Sequence, residues 1–408
     1  MSPTWVPVPD HSEFPLHSLP FGVIDPGDGA RIVVAIGDHA LDMRALAGAG
    51  LLDVEPGVAP ALSSNDLNAY LSLGREAWGA VRGVITGLLM TGEAEIRDAG
   101  ALLDPVEAVH LLPFVPGDFV DGYSSLEHAT TMGRILRPEG EPLLPNWRHM
   151  PVAYRGTPST VMVSGSPVRR PRGQVLGPDG MPEHRETAAL DFELEVGFVV
   201  GPGNGIGRPI DIDDTADHIF GVVLVNDWSA RDFQKWEGRP LGPNIAKSFA
   251  TSVSPWVIPL DALTTAMIPS RPQSPQPLEY LRPSGDWGLD LDLGVDLGTA
   301  ASAPMVVSRT SMRGVYWTFA QQLAHLTVNG AALRPGDLIS SGTISGKAAG
   351  SKGCLIEATL DGARPITLPS GETRSYLEDG DTVVLRGSAP AAGIGLGEVV
   401  GTVLPAHD

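Results

Sequence analysis

AALDFELEVGFVV, residues 188–200, alternates apolar and polar side chains with a period of two, the signature of a strand within a sheet. Leu190, Phe192, Leu194, Val196 and Phe198 fall on one face, and Asp191, Glu193 and Glu195 fall together on the other. Neighbouring carboxylates repel unless water or a cation neutralises them. The acidic face therefore reads either as a solvated outer surface or as part of a divalent-cation site built from oxygen ligands.

Working outward, HIFGVVLVN (218–226) is a continuous apolar run ending at Asp227, as expected of a strand buried on both faces. GLDLDLGVDLG (288–298) is a second alternating strand, and RIVVAIG (31–37) a third between turn sequences. Trp78, Val81, Ile85, Leu88 and Leu89 recur at helical spacing over 74–90. SMRGVYWTFAQQLAHL (311–326) predicts another helix, with Val315, Phe319, Leu323 and Leu326 on one face and Asn329-Gly330 ending it. The Pro/Gly-rich stretch 166–186 reads as a loop, a candidate lid. Residues 1–115 read as a small module and 116–408 as a larger strand-rich region; there is no repeat period.

The chain has 408 residues, 42% hydrophobic and 19% charged, which is ordinary for a folded soluble protein. A net charge of −20 with no basic run argues against nucleic acid and anionic membrane surfaces as partners. The one cysteine, Cys354, leaves no internal disulfide framework. The first residues lack the basic and apolar segments of a signal peptide, and no apolar run approaches the roughly 20 residues that span a bilayer. A cytoplasmic location is the expectation.

Several groups carry both a structural and a chemical reading. In FVDGYSSLEHATTMGRILRP (119–138), Ser124 and Glu127 have capping-box spacing and predict a helix from about Ser125. His128 then lies in the first turn, with Asp121 and Tyr123 just before it. Asp227 is either a helix N-cap or a ligand group at the end of a strand. Arg231, Gln234 and Lys247 are donors suited to an oxygen on which negative charge develops. SSGTISG (340–346) is a turn with hydroxyls. Glu357, in CLIEATL, which reads as an apolar strand, either faces solvent at an edge or partners a buried histidine. GPGNGIG (201–207) lacks the spacing and the following helix of a dinucleotide fingerprint.

YSSxxHAT, LPNWRHMPVAYRG, LDFELE, NDWSARDFQKWE, KSFATSVSPW, LRPGDLISSGTISG and LEDGDTVVLRG occur in that order. With FPLHSLPFG near the start and GEVVGTVLPA near the end, they resemble the fumarylacetoacetate hydrolase superfamily over essentially the whole chain. The resemblance implies a mostly β (α+β) fold, with a small SH3-like N-terminal barrel, a larger C-terminal β-roll and a homodimer. It implies metal-dependent hydrolysis of a carbon–carbon bond in a small anionic β-dicarbonyl, fumarylacetoacetate, at the last step of tyrosine and phenylalanine catabolism. Mg²⁺ or Ca²⁺ is the implied cofactor, on Asp121, Glu193, Glu195 and Asp227. Main-chain carbonyls of Trp228, Lys247 and Thr251 correspond to a structural cation. His128 falls on the base and Glu357 on its orienting carboxylate. Arg231, Gln234 and Lys247 fall on the oxyanion positions, and Tyr123, Arg137, Tyr154, Gln234 and Thr343 on substrate contacts. Gly238 and Asn244 depart from the family's aromatic residues. A relative acting on another 2,4-dioxo acid, an acylpyruvate hydrolase or a decarboxylase, is the alternative.

Overall fold

The computed structural model describes residues 4–368 and 370–407. At 25% helix and 29% strand it is sheet-rich but mixed, more helical than a mostly β chain. The fully buried strand Ile219–Asp227 lies near the middle of the large sheet. Leu194–Val200 pairs with it antiparallel on one side, and Thr251–Val253 and Trp256–Pro259 on the other. Its side chains alternate between two cores, Val222 and Leu224 entering one and Val223 and Val225 the other. That two-sided burial explains why the run is apolar at every position rather than at every second one.

Beyond Leu194–Val200 the sheet continues through Leu338–Ser340 to Phe119–Gly122, which run parallel to each other, and then to Ala153–Arg155. Gly342 allows this junction: its φ is +75°, and a Cβ there would lie 2.2 Å from the Gly122 carbonyl oxygen. At the other end, Phe21–Asp25 joins the sheet through Phe21↔Val257 and Gly22↔Trp256, with Arg31–Ile36, His39–Asp42 and Leu102–Leu103 beyond it. No closed barrel is found among the described residues. The helix Arg75–Thr91 lies in the same core as Phe220, Val223 and Val225, burying Trp78, Val81, Ile85 and Leu89. A separate five-stranded sheet is built on Asp292–Thr299, Ser302–Ser311, Thr382–Ala389, Ile394–Leu404 and the short Val168–Arg169.

Four local expectations need correction. The 166–186 stretch contains a hairpin, Arg172–Leu176 with Pro182–Glu186, whose first strand lies against the helix Arg231–Glu237. Alternating exposed and buried residues in RGQVL carry this strand signal, and the surrounding prolines and glycines mask it. The helix expected over 311–326 begins at Phe319, where Thr318 and Gln321 form a complete capping box; Met312–Gly314 is a separate 3₁₀ turn. The Ser124–Glu127 capping box is not made. Ser125 is the N-cap of Leu126–Leu136, its hydroxyl accepting from the His128 N–H, while Glu127 pairs with Arg271 and Ser124 accepts from Gln322. Finally, Glu357 lies on a helical turn, Leu355–Ala358, rather than a strand.

Candidate active site

The strand reading of 188–200 holds with one interruption. Leu190–Asp191 pairs with Ser229–Ala230, and Leu194–Val200 enters the large sheet, with Phe192 and Glu193 between them. Leu190, Phe192, Leu194, Val196 and Phe198 share one core, as the alternation requires. The opposite face is not solvated: Asp191, Glu193 and Glu195 are all buried. Neighbouring strand ends bring two more acids to it. Asp227 closes Ile219–Asp227, and Asp121 lies opposite Ser340 on the parallel strand.

Asp121, Glu193, Glu195 and Asp227 each offer a carboxylate oxygen within 4.8 Å of the others. Asp121 Oδ1 and Glu195 Oε1 are buried without a hydrogen-bond partner among the described residues. Burial, then the charge of Asp227, pushes Asp121 well above the usual carboxylate range; burial, then Asp121, does the same to Glu195. Glu193 goes the other way: although burial opposes ionisation, Lys247 and Arg231 hold it far below its ordinary value. Hard oxygens with lone pairs to spare, crowded beyond what the local cations neutralise, could hold a hard divalent cation.

Two basic side chains meet this cluster. Lys247 Nζ donates to Glu193 and, at 2.7 Å, to Asp227 Oδ2; these carboxylates hold its pKa up against the effect of burial. Arg231 reaches Glu193 Oε1 at 2.7 Å, Asp191 Oδ2 at 2.9 Å and Gln234 Oε1 at 3.1 Å, while its Nη2 is buried with no described partner. Tyr154 donates its hydroxyl to Asp227 Oδ2 at 3.1 Å, and Thr251 to Asp227 Oδ1 at 2.9 Å. Asp227 is therefore no N-cap; the next helix begins after Ala230 with no side-chain cap.

His128 lies on the first turn of its helix with Nδ1 2.6 Å from Glu357 Oε2, and both side chains are buried. Burial opposes ionisation of Glu357, yet His128 and the Ser345 hydroxyl pull its pKa down to about 2. The edge reading of Glu357 is thus overturned. Tyr123 stands edge-on to the His128 ring, with centroids 5.4 Å apart. Arg137 follows the His128 helix and donates to Pro142 O, leaving Nε buried without a described partner. The Thr343 hydroxyl is likewise buried and unpartnered. The Trp228 indole donates to Ser252, so its side chain serves the core.

Asp191 was legible only as a member of the acidic face, and its part is different. It pairs with Arg231 and accepts from the N–H groups of Leu355 and Ile356, capping from a distance the helical turn that carries Glu357. No local motif could announce that link, because 164 residues separate the partners. Gly238 ends the Arg231–Glu237 helix, where a Cβ would fall 2.6 Å from the Gln234 carbonyl oxygen, so any side chain requires that helix end to move. Asn244 lies in a loop whose N–H groups bond Glu237. Arg169, Arg170, Arg172 and Arg185 all find partners away from Gly238.

Residues 17–113 match the family described as fumarylacetoacetase N-terminal, and residues 119–404 the fumarylacetoacetate (FAA) hydrolase C-terminal family. The fumarylacetoacetases of Bos taurus and Homo sapiens are each 43% identical, over 99% of this chain and 99% of theirs. That of Dictyostelium discoideum is 41% identical over 99% of this chain and 98% of its own. Among solved structures, a fumarylacetoacetate hydrolase from Exiguobacterium antarcticum shares the fold, with a TM-score of 0.55 at 17% identity over 96% of this chain and all of that one. A 2-hydroxyhepta-2,4-diene-1,7-dioate isomerase from Mycobacterium marinum is similar at a TM-score of 0.52 and 16% identity, over 96% of this chain and all of its own.

Proposed function

The chain belongs to the fumarylacetoacetate hydrolase family, and from that premise we propose that it hydrolyses a carbon–carbon bond of fumarylacetoacetate, releasing fumarate and acetoacetate. The observation that carries this reading is a buried His128–Glu357 pair in the same site as four converging carboxylates, two of which, Asp121 and Glu195, each keep a buried oxygen with no partner among the described residues.

Asp121, Glu193, Glu195 and Asp227 are the residues to hold the divalent cation, Mg²⁺ or Ca²⁺. When bound, the cation supplies Lewis acidity to a β-dicarbonyl and offsets the crowded carboxylates. Glu357 occupies His128 Nδ1, leaving Nε2 to take a proton from water. The ionised Glu357 stabilises the imidazolium as it forms. The water oxygen adds to the ketone carbon, and Arg231 Nη2, the Gln234 amide and the remaining Lys247 N–H are donors for the oxygen that becomes negative. Rupture of the carbon–carbon bond leaves fumarate and a carbanion that takes back the proton from His128, giving acetoacetate. Tyr123, Arg137, Tyr154 and Thr343 are assigned to the substrate's oxygens. A second, structural cation on the carbonyls of Trp228, Lys247 and Thr251, a homodimer in the cytoplasm, and division at residue 115 into an SH3-like module and a β-roll complete the reading. So does a place at the end of tyrosine and phenylalanine catabolism. Among the described residues, no helix is long and apolar enough to cross a membrane.

The test is fumarate release from fumarylacetoacetate by the purified protein with Mg²⁺ or Ca²⁺, and its loss on chelation. His128→Ala should lower kcat by roughly 10²–10⁴, the usual worth of a positioned base, with cation binding and circular dichroism unchanged. No release with either cation rejects the reading, and a His128→Ala variant as fast as the parent rejects the base.

A further inference from the structure

Glu357 receives more than the imidazole. Its Oε2 accepts from His128 Nδ1 at 2.6 Å, from the Ser345 hydroxyl at 2.5 Å and from the Cys354 thiol at 3.3 Å. Its Oε1 is buried and accepts from no described residue. Every donor is thus gathered on the oxygen that faces the histidine.

Ser345 is itself held in place. The Gly353 N–H donates to its hydroxyl oxygen at 2.9 Å. Its carbonyl accepts at 3.3 Å from the Ser125 hydroxyl, which also accepts from the His128 N–H at the helix start. Ser125, His128, Glu357 and Ser345 therefore form a closed circuit, and no member is more than 5% exposed.

We propose that Ser345 is a positioning residue for the reaction, its hydroxyl locking Glu357 Oε2 against His128 Nδ1 so that Nε2 is presented to water. This rests on the reading of His128 as the base. The terminal torsion of a glutamate is soft and roughly two-fold, so one bond to an imidazole does not fix which oxygen is used or in which plane. A second donor from a rigid loop does, and hydrogen bonds to an ionised acceptor are about twice as strong as neutral ones. Cys354 is the lesser contributor, because a thiol is a weak donor.

Ser345→Ala removes the hydroxyl alone. The expected result is a fall in kcat of roughly ten- to a hundredfold, the rate equivalent of one hydrogen bond to a charged group. KM and Mg²⁺ affinity should stay within about twofold, since Ser345 is placed on neither ligand. In protein labelled with ¹⁵N-histidine, the downfield Nδ1–H resonance of His128 should shift or broaden. Ser345→Thr, which keeps the hydroxyl, should restore both readouts, and Cys354→Ala should cost no more than about threefold in kcat. A Ser345→Ala variant that keeps both kcat and the resonance overturns the proposal. So does a lowered melting temperature with kcat per folded molecule and the resonance unchanged, or a folded Ser345→Thr variant as slow as Ser345→Ala. The resonance is recorded without substrate, so it decides the role of Ser345 even if the unaltered enzyme does not cleave fumarylacetoacetate; that failure would count against the functional reading alone.

Discussion

The acids of residues 190–196 and those of 288–296 alternate with apolar residues in the same way, yet the first three are sealed inside the molecule and the second three are not. Glu193 is 4% exposed and Asp191 and Glu195 not at all, with Arg231, Lys247 and Ser340 against them. Asp290, Asp292 and Asp296 are answered by Arg313 and Arg386, both about half exposed at 52% and 49%. Asp292 and Asp296 line an open groove of about 1390 Å³. Both stretches are interrupted strands: Leu194–Val200 and Asp292–Thr299 each pair on two sides, while Phe192 and Glu193 in the first and Asp290 and Leu291 in the second lie between short strand segments, so pairing is not the cause. The difference lies in what covers the acidic face. Over the first strand lie Asp121, Asp227 and the turn Leu355–Ala358; over the second lie the half-exposed side chains of Arg313 and Arg386, at the edge of an open groove. Alternation tells which residues share a face and is silent about its cover.

The comparison breaks most sharply at Glu195. Glu195→Gln keeps the shape and removes one charge from the proposed ligand set, and should lower kcat/KM by on the order of 10³ or more, since a Lewis-acid cation is worth several kcal/mol. Calorimetry should show weakened Mg²⁺ binding in the same variant. Unchanged binding and turnover would move Glu195 out of the ligand set and erase the contrast with Asp296.

A second effect appears in stability against pH. With the cation chelated, the raised pKa values of Asp121 and Glu195 mean that the folded state binds more protons than the unfolded one. Stability therefore falls as pH rises from the ordinary carboxylate range toward the raised values. The proposed cation site would bind Mg²⁺ through the deprotonated cluster, so the gap in melting temperature between Mg²⁺ and EDTA should widen with pH. Melting curves over roughly pH 5 to 8 check this; a constant gap would contradict it.

The smallest effect belongs to the second strand. Asp296→Asn removes a partly exposed pair with Arg386, and should change stability by about 0–1 kcal/mol while leaving kcat/KM alone. A denaturant midpoint and one progress curve suffice. A large loss of activity would mean that Asp296 acts on the site along this groove, whose lining includes Ser345.

The elements read well from the sequence wherever one rule dominated. The apolar face of 190–198 and the Trp78–Leu89 stripe are set by core burial, and periodicity registers it directly. The site resisted where distant residues decided local structure. LIEA is too short to declare itself helical, and its cap is Asp191, far away in the chain. Ser124 and Ser125 offer equivalent hydroxyls, and the loop at Ser345 selects the second. The family resemblance, rather than spacing, named Asp121 and Asp227 as companions of Glu193. The geometry brings one oxygen of each of Asp121, Glu193, Glu195 and Asp227 within 4.8 Å of the others.

The seam at Phe21↔Val257 has a consequence for how far damage in one part of this protein spreads. Tyr70, Trp78 and Phe220 pack edge to face across it, so the N-terminal module and the site-bearing sheet share one interior. A missense change at Tyr70 or Trp78 touches no residue of the site, yet it loosens the sheet on which Asp227 stands. Its expected signature is a lowered melting temperature and fewer surviving molecules, cleared by quality control.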